Sequence, residues 1–73
     1  MIITINGKQN SFEAEMSVQE LLEKTEVDMQ EYVTVQLNDE IISRKDFSSI
    51  PVRDGDRVEF LYYMGGGQYK KIA

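Results

Sequence analysis

Ser17-Val18-Gln19-Glu20-Leu21-Leu22 carries both the start of a helix and its apolar stripe. Serine followed three residues later by glutamate forms a capping box. The Ser17 hydroxyl accepts from the Glu20 amide while the Glu20 carboxylate reaches back to the Ser17 amide. Val18, Leu21 and Leu22 then fall at i, i+3 and i+4, which lays one apolar stripe along a helix. Glu20 and Lys24 stand four apart in the favourable order. Val27 closes the apolar end, and Asp28 to Glu31 read as a polar connection. A single amphipathic helix has to bury its stripe against an apolar sheet face, which sets the requirement for the rest of the chain.

The flanks supply that sheet. Upstream, Met1 to Asn6 alternates with β-branched residues, a half-buried strand by its period of two. Asn6-Gly7 readily takes the positive φ angles of a tight hairpin, and Lys8 to Ala14 returns as a less apolar strand with Phe12 and Ala14 on one face. Downstream, Tyr32 to Leu37 alternates again, with Val33, Val35 and Leu37 on one face. Asn38-Asp39-Glu40 is a turn and Ile41-Ile42 a short strand. Ser43-Arg44-Lys45-Asp46 begins a helical turn ending near Phe47, and Ile50-Pro51-Val52 is extended because the residue before proline is pushed out of the α region. Asp54-Gly55-Asp56 is a turn, and Arg57 to Tyr63 is a strong last strand with Val58, Phe60 and Tyr62 on one face. The first and last strands are the most apolar, so they belong side by side and parallel at the centre. The expected architecture is α+β: a β-grasp with a mixed four- to five-stranded sheet packed on one main helix. Residues 1–64 form that domain, and residues 65–73 form a flexible glycine tail with a C-terminal extension.

Composition narrows the chemistry. Cysteine and histidine are both absent from the 73 residues, which removes thiol redox chemistry, most nucleophilic triads and the usual zinc sites. Paired carboxylates remain, but so small a fold leaves little room for a substrate cleft, so a self-contained enzyme is not expected. Residues 1–67 carry six basic against thirteen acidic side chains. That balance repels a phosphate backbone and argues against nucleic acid. It suits a partner with a basic face, and equally suits solubility alone. No apolar run is long enough to span a membrane, and the N-terminus lacks the pattern of a signal peptide, so a cytoplasmic protein is expected. Asp54 and Asp56 flank a glycine as calcium loops do, yet two acids fall short of the six to eight oxygens calcium takes. The turn reading is preferred.

The pattern stops after Tyr63 and Met64, where Gly65-Gly66-Gly67 and then Gln68-Tyr69-Lys70-Lys71-Ile72-Ala73 follow. Three glycines have very large conformational entropy and no side chains. A linker or frayed terminus is the ordinary meaning of such a run. Here the glycines leave directly from the end of a central strand, so the fold holds the tail at a defined point. A side-chain-free segment also passes through a channel that any Cβ would block. Such a tail suits delivery of a main-chain carboxylate into another enzyme's active site.

At this point the chain resembles a known family. Ile3-Thr4-Ile5-Asn6-Gly7-Lys8, Ser17-Val18-Gln19-Glu20-Leu21-Leu22, Val33-Thr34-Val35-Gln36-Leu37-Asn38, Ile41-Ile42-Ser43-Arg44 and Asp54-Gly55-Asp56-Arg57-Val58 occur in order before the glycines. Together they resemble the ubiquitin-like ThiS/MoaD-type sulfur carriers, nearest to the thiamine-pathway ThiS branch. The resemblance implies that Gly66 and Gly67 are the diglycine, with Gly67 as the site of adenylation and thiocarboxylate formation. Gly65 and Gly66 would thread the partner's active site, and Leu61, Tyr63 and Met64 are candidate partner contacts. It further implies a ubiquitin-activating-type adenylyltransferase using ATP and magnesium, a persulfide as sulfur donor and a downstream synthase. No cofactor is expected on the carrier itself, and a carrier that docks with several partners in turn is expected to be a monomer when free.

Carriers of this family end at the diglycine, whereas here Gly67 is joined to Gln68. Three readings stand: a propeptide cut between Gly67 and Gln68 by a zinc metalloprotease, an addition to the natural chain, or a protein that has kept the fold and lost sulfur transfer. The principal alternative function is a β-grasp binding module without thiocarboxylate chemistry.

Overall fold

A computed structural model describes residues 1–25, 27, 30–64 and 68–71. Its main sheet is built from β1 (Ile2–Ile5), β2 (Lys8–Ser11), β4 (Val33–Leu37), β5 (Glu40–Ile42) and β7 (Arg57–Met64), in the order β2-β1-β7-β4-β5. β1 runs parallel to β7, with Thr4 opposite Arg57 and Ile5 opposite Val58, and the other neighbours are antiparallel. The expected pairing of first and last strands at the centre is therefore present. β3 (Met16–Ser17) and β6 (Pro51–Val52) form a separate two-stranded ribbon that fixes the helix entry.

The helix α1 spans Val18–Lys24. Ser17 caps it as the sequence implies: its Oγ accepts from the Glu20 amide at 3.1 Å, and its own amide donates to Glu20 Oε1 at 3.0 Å. The first two helical amides, which have no partner within the helix, donate to Ile50 and Phe47 carbonyls. At the other end Thr25 stops the helix, its hydroxyl donating to the carbonyls of Leu21 and Leu22. Val27, expected to close the helix, is buried just beyond it. Val18, Leu21 and Leu22 pack with Ile3, Val33, Val35, Phe47, Val52, Val58 and Phe60 in one core between helix and sheet.

Both hairpins turn on two residues with positive φ. Asn6 and Gly7 lie at +48° and +85°, Asn38 and Asp39 at +50° and +72°, which matches the twist that two-residue hairpins require. The strand β2 ends at Ser11, short of the expected Ala14, because its partner β1 runs out at the pair Ile2–Ser11. Phe12 still turns onto the core. The short 3-10 turn Arg44–Asp46 stands where the sequence places a helical turn, with the Arg44 guanidinium 5.2 Å over the Phe47 ring and one of its nitrogens donating to the Val33 carbonyl.

The cap carries a measurable consequence. The backbone hydrogen bond from Ser17, then that from its hydroxyl, holds the Glu20 carboxyl below its ordinary value, with Lys24 adding a smaller pull and burial opposing it. A depressed carboxylate contributes stability that is complete above the unfolded glutamate range and fades as pH falls through the lowered folded value. Ser17→Ala is expected to destabilise by about 1 kcal/mol at neutral pH and to shrink that acid-dependent loss. Urea unfolding of both proteins, at neutral pH and below the glutamate range, checks it. An unchanged difference between parent and variant across that range would contradict the coupling.

Candidate functional site

Everything the sequence assigns to chemistry lies at the C-terminal end of β7, so what holds that strand matters first. β4 covers one edge, with Leu37 to Val33 opposite Val58 to Tyr62. On the other edge β1 reaches only as far as Val58, whose carbonyl accepts from the Asn6 amide at 3.0 Å. At Phe60 the Asn6 side chain takes over: Oδ1 accepts from the Phe60 amide at 2.9 Å and Nδ2 donates to the Phe60 carbonyl at 3.5 Å. One side chain thus does the work of a further strand residue after the backbone has turned away. Asn38 acts likewise at the start of β7, accepting from the Arg57 amide at 2.9 Å and donating to Asp56 Oδ1 at 3.1 Å. Sequence reading took both asparagines as turn residues only. An Asn at a positive-φ turn beside a central strand is the signal that was present.

β7 is followed by a strand the sequence reading did not foresee. β8 (Gln68–Lys71) runs antiparallel to it, with Met64 opposite Gln68, Tyr63 opposite Tyr69, Tyr62 opposite Lys70 and Leu61 opposite Lys71. Since β4 already holds Leu61 and Tyr62 from one side, β8 occupies the same edge as β1, just beyond Asn6. The expectation of an extension leaving the fold is corrected here for residues 68–71. They continue the sheet because a strand end with open backbone groups is a template for pairing. Gly65, Gly66 and Gly67, the residues expected to thread and react, lie outside the described residues.

The predicted contact residues separate. Leu61 is only 7% exposed, flanked by its register partners Thr34 and Lys71, and in this state offers little surface to a partner. Tyr63 and Met64 belong to β7 and stand in register opposite Tyr69 and Gln68. The larger exposed apolar side chains among the described residues, Ile2, Tyr32 and Ile41, sit on different elements, on β1, in the Gln30–Tyr32 turn and on β5.

The acidic turn is structural. Asp54 Oδ1 accepts from the Ile2 amide at 2.7 Å, and Asp56 Oδ2 from the Arg53 amide at 2.8 Å, while Gly55 between them adopts φ +86°. The described residues hold no group of three or more His, Cys, Asp or Glu placed to bind a metal. Arg57 pairs with Asp39 at 2.8 Å with both side chains largely exposed, a surface ion pair of small energetic weight. Among the described residues no helix is long and apolar enough to cross a membrane.

Comparison with known proteins agrees with this geometry. A model of the ThiS family matches residues 3–67. The crystal structure of the thiamine biosynthesis protein ThiS from Geobacter metallireducens superposes with a TM-score of 0.86 at 48% identity, covering 92% of this chain and all of that one. The solution structure of a thiamine biosynthesis protein from the same organism gives 0.74 at 46% identity, over 96% and 92% of the two chains. A thiazole synthase of Paramagnetospirillum magneticum is 37% identical over 67 residues, and the match spans 92% of this chain but 20% of that protein's length. With its ubiquitin-like β-grasp and its glycines at the end of the central strand, the chain belongs to the ThiS family of sulfur carriers.

Proposed function

We propose that the carrier works through a thiocarboxylate at Gly67, formed after the bond between Gly67 and Gln68 is cut. The observation that carries this reading is where the likeness stops: the family match runs to Gly67, and the six residues from Gln68 to Ala73 lie beyond it. In the uncut chain the Gly67 carbonyl is an amide, a poor acyl donor with no free carboxylate to activate. A zinc metalloprotease of the deubiquitinase type would hydrolyse that amide and leave the carboxylate.

The freed carboxylate oxygen attacks the α-phosphate of ATP on a ubiquitin-activating-type adenylyltransferase, with magnesium balancing the phosphate charge, and pyrophosphate leaves. A persulfide sulfur then attacks the acyl carbon and expels AMP, giving an acyl disulfide. A thiol cleaves its S–S bond, the new disulfide leaves with the partner, and the thiocarboxylate stays on Gly67. The carrier contributes no acid, base or nucleophile beyond its own C-terminus. That fits a chain without cysteine or histidine. A matching stretch inside a longer protein named thiazole synthase supports a synthase as the downstream acceptor, in thiamine or in amino-acid biosynthesis.

Intact mass spectrometry of the untagged protein from its native cells tests the proposal. The expected species ends at Gly67, with a second form heavier by the difference between sulfur and oxygen. A mass running through Ala73, unchanged under sulfur limitation, would exclude processing and leave a β-grasp binding module or a carrier that has lost sulfur transfer.

A further inference from the structure

The edge of β7 between Leu61 and Met64 is the one place where this sheet is completed by the segment that the proposed function removes. Phe60 shows the direction its backbone groups face, since both its amide and its carbonyl bond to Asn6 on the β1 side. Backbone groups two residues along a strand face the same way, so the amide and carbonyl of Tyr62 face β8, opposite Lys70. Loss of residues 68–73 would uncover these groups at the base of the glycines, together with the flank of Leu61. Asn6 marks the inner limit of that opening and β4 closes the other side.

We infer that this edge, from Leu61 to Met64, is a docking edge for an extended antiparallel strand of the adenylating partner, and that β8 holds it in cis until cleavage. The inference rests on the proposed function for the identity of the partner. Two observations and one general property of strand pairing support a strand as occupant. An antiparallel strand already sits there in a defined register. The edge is continuous with the glycines that the partner must draw in. Main-chain pairing along an open edge also gives affinity without demanding particular side chains, which suits a carrier handed between several proteins. A strand tethered by three residues competes at an effective concentration on the millimolar scale, so the uncut chain resists docking and the cut chain accepts it.

The experiment uses the full chain, its Lys70→Pro variant, and the chain ending at Gly67. The last of these is expected to fold, since the buried core among the described residues ends at Leu61, with Tyr62 packed against it, all ahead of the cut, and the Geobacter protein, fully covered by 92% of this chain, is folded. Proline at 70 removes the amide that faces Tyr62 and disfavours the strand, yet leaves Gly67 blocked. The probe is the ubiquitin-activating-type adenylyltransferase of the same cells, with binding measured by calorimetry and the Tyr62 amide followed by hydrogen exchange. Expected results are a slow Tyr62 amide in the full chain and a fast one in both altered chains. The two altered chains should also bind the enzyme at least about tenfold more tightly, with Tyr62 protection restored in the complex.

A complex in which Tyr62 keeps exchanging fast would overturn the inference. So would protection that grows with the concentration of the cut chain alone, because the occupant would then be a second copy. The two proposals fail separately. If the cut chain forms no thiocarboxylate while Tyr62 is still protected by the enzyme, the sulfur chemistry is wrong and the docking edge stands.

Discussion

Phe60→Ala is expected to remove about 3–5 kcal/mol of stability, the range for deleting a fully buried aromatic ring. Phe60 is 2% exposed and is among the largest fully buried side chains. It lies on β7, the central strand of the sheet, opposite Val35 of β4. Its ring joins the core that α1 covers with Leu21 and Leu22. The backbone there is independently fixed by Asn6, so the site cannot collapse to fill the space, and a persisting cavity adds to the lost transfer energy. Small domains hold roughly 0.05–0.15 kcal/mol per residue in total, so the variant would lose roughly a quarter or more of its stability, and at the lower end all of it. Urea unfolding reads the result against Ile2→Ala, whose parent side chain is 50% exposed and whose cost should stay within about 0.5 kcal/mol. Equal shifts in the two variants would mean that the centre of the core has been misplaced.

Why Phe60 was legible and Leu61 was not is a matter of which signal each carries. Val58, Phe60 and Tyr62 alternate, and alternation reports directly which face meets the helix. Leu61 falls on the opposite face by the same rule and was read as a candidate contact surface. It stands between register partners on two strands, Thr34 and Lys71, and the second belongs to a strand that local pattern does not announce. Gln68-Tyr69-Lys70-Lys71 has no period of two and follows three glycines, so nothing local marks it as a strand. Its pairing follows from the edge that Asn6 leaves open. The helix start was legible for the converse reason. Ser17 and Glu20 satisfy each other's amides within four residues, and such a device needs no distant partner. Asn6 and Asn38 mix the two cases, since the turn they make is local and the strand they bond to lies far along the chain.

The second large effect concerns the glycines, where a change should destroy function and spare the fold. In the chain ending at Gly67, Gly66→Val is expected to lower adenylation by the activating enzyme about a hundredfold or more. The proposed chemistry needs Gly67 to bring its carboxylate in line with the α-phosphate of ATP at the end of a narrow passage. Valine adds a branched Cβ that such a passage excludes, and it restricts the φ and ψ values that glycine leaves open. Displacement of a reacting group by about 1 Å alone costs on the order of 10²-fold. The buried core among the described residues ends at Leu61, with Tyr62 packed against it, so a change at position 66 should leave the melting temperature where it is. That combination separates a threading defect from a folding defect, as Phe60→Ala does in the opposite sense. The readout is pyrophosphate release with ATP and magnesium, alongside thermal unfolding of the same samples. Adenylation at the parent rate would show that position 66 meets no confining wall, and the reactive end would then have to be reached without threading. A lost rate with a lowered melting temperature would place Gly66 in the fold and take it out of the delivery of the carboxylate.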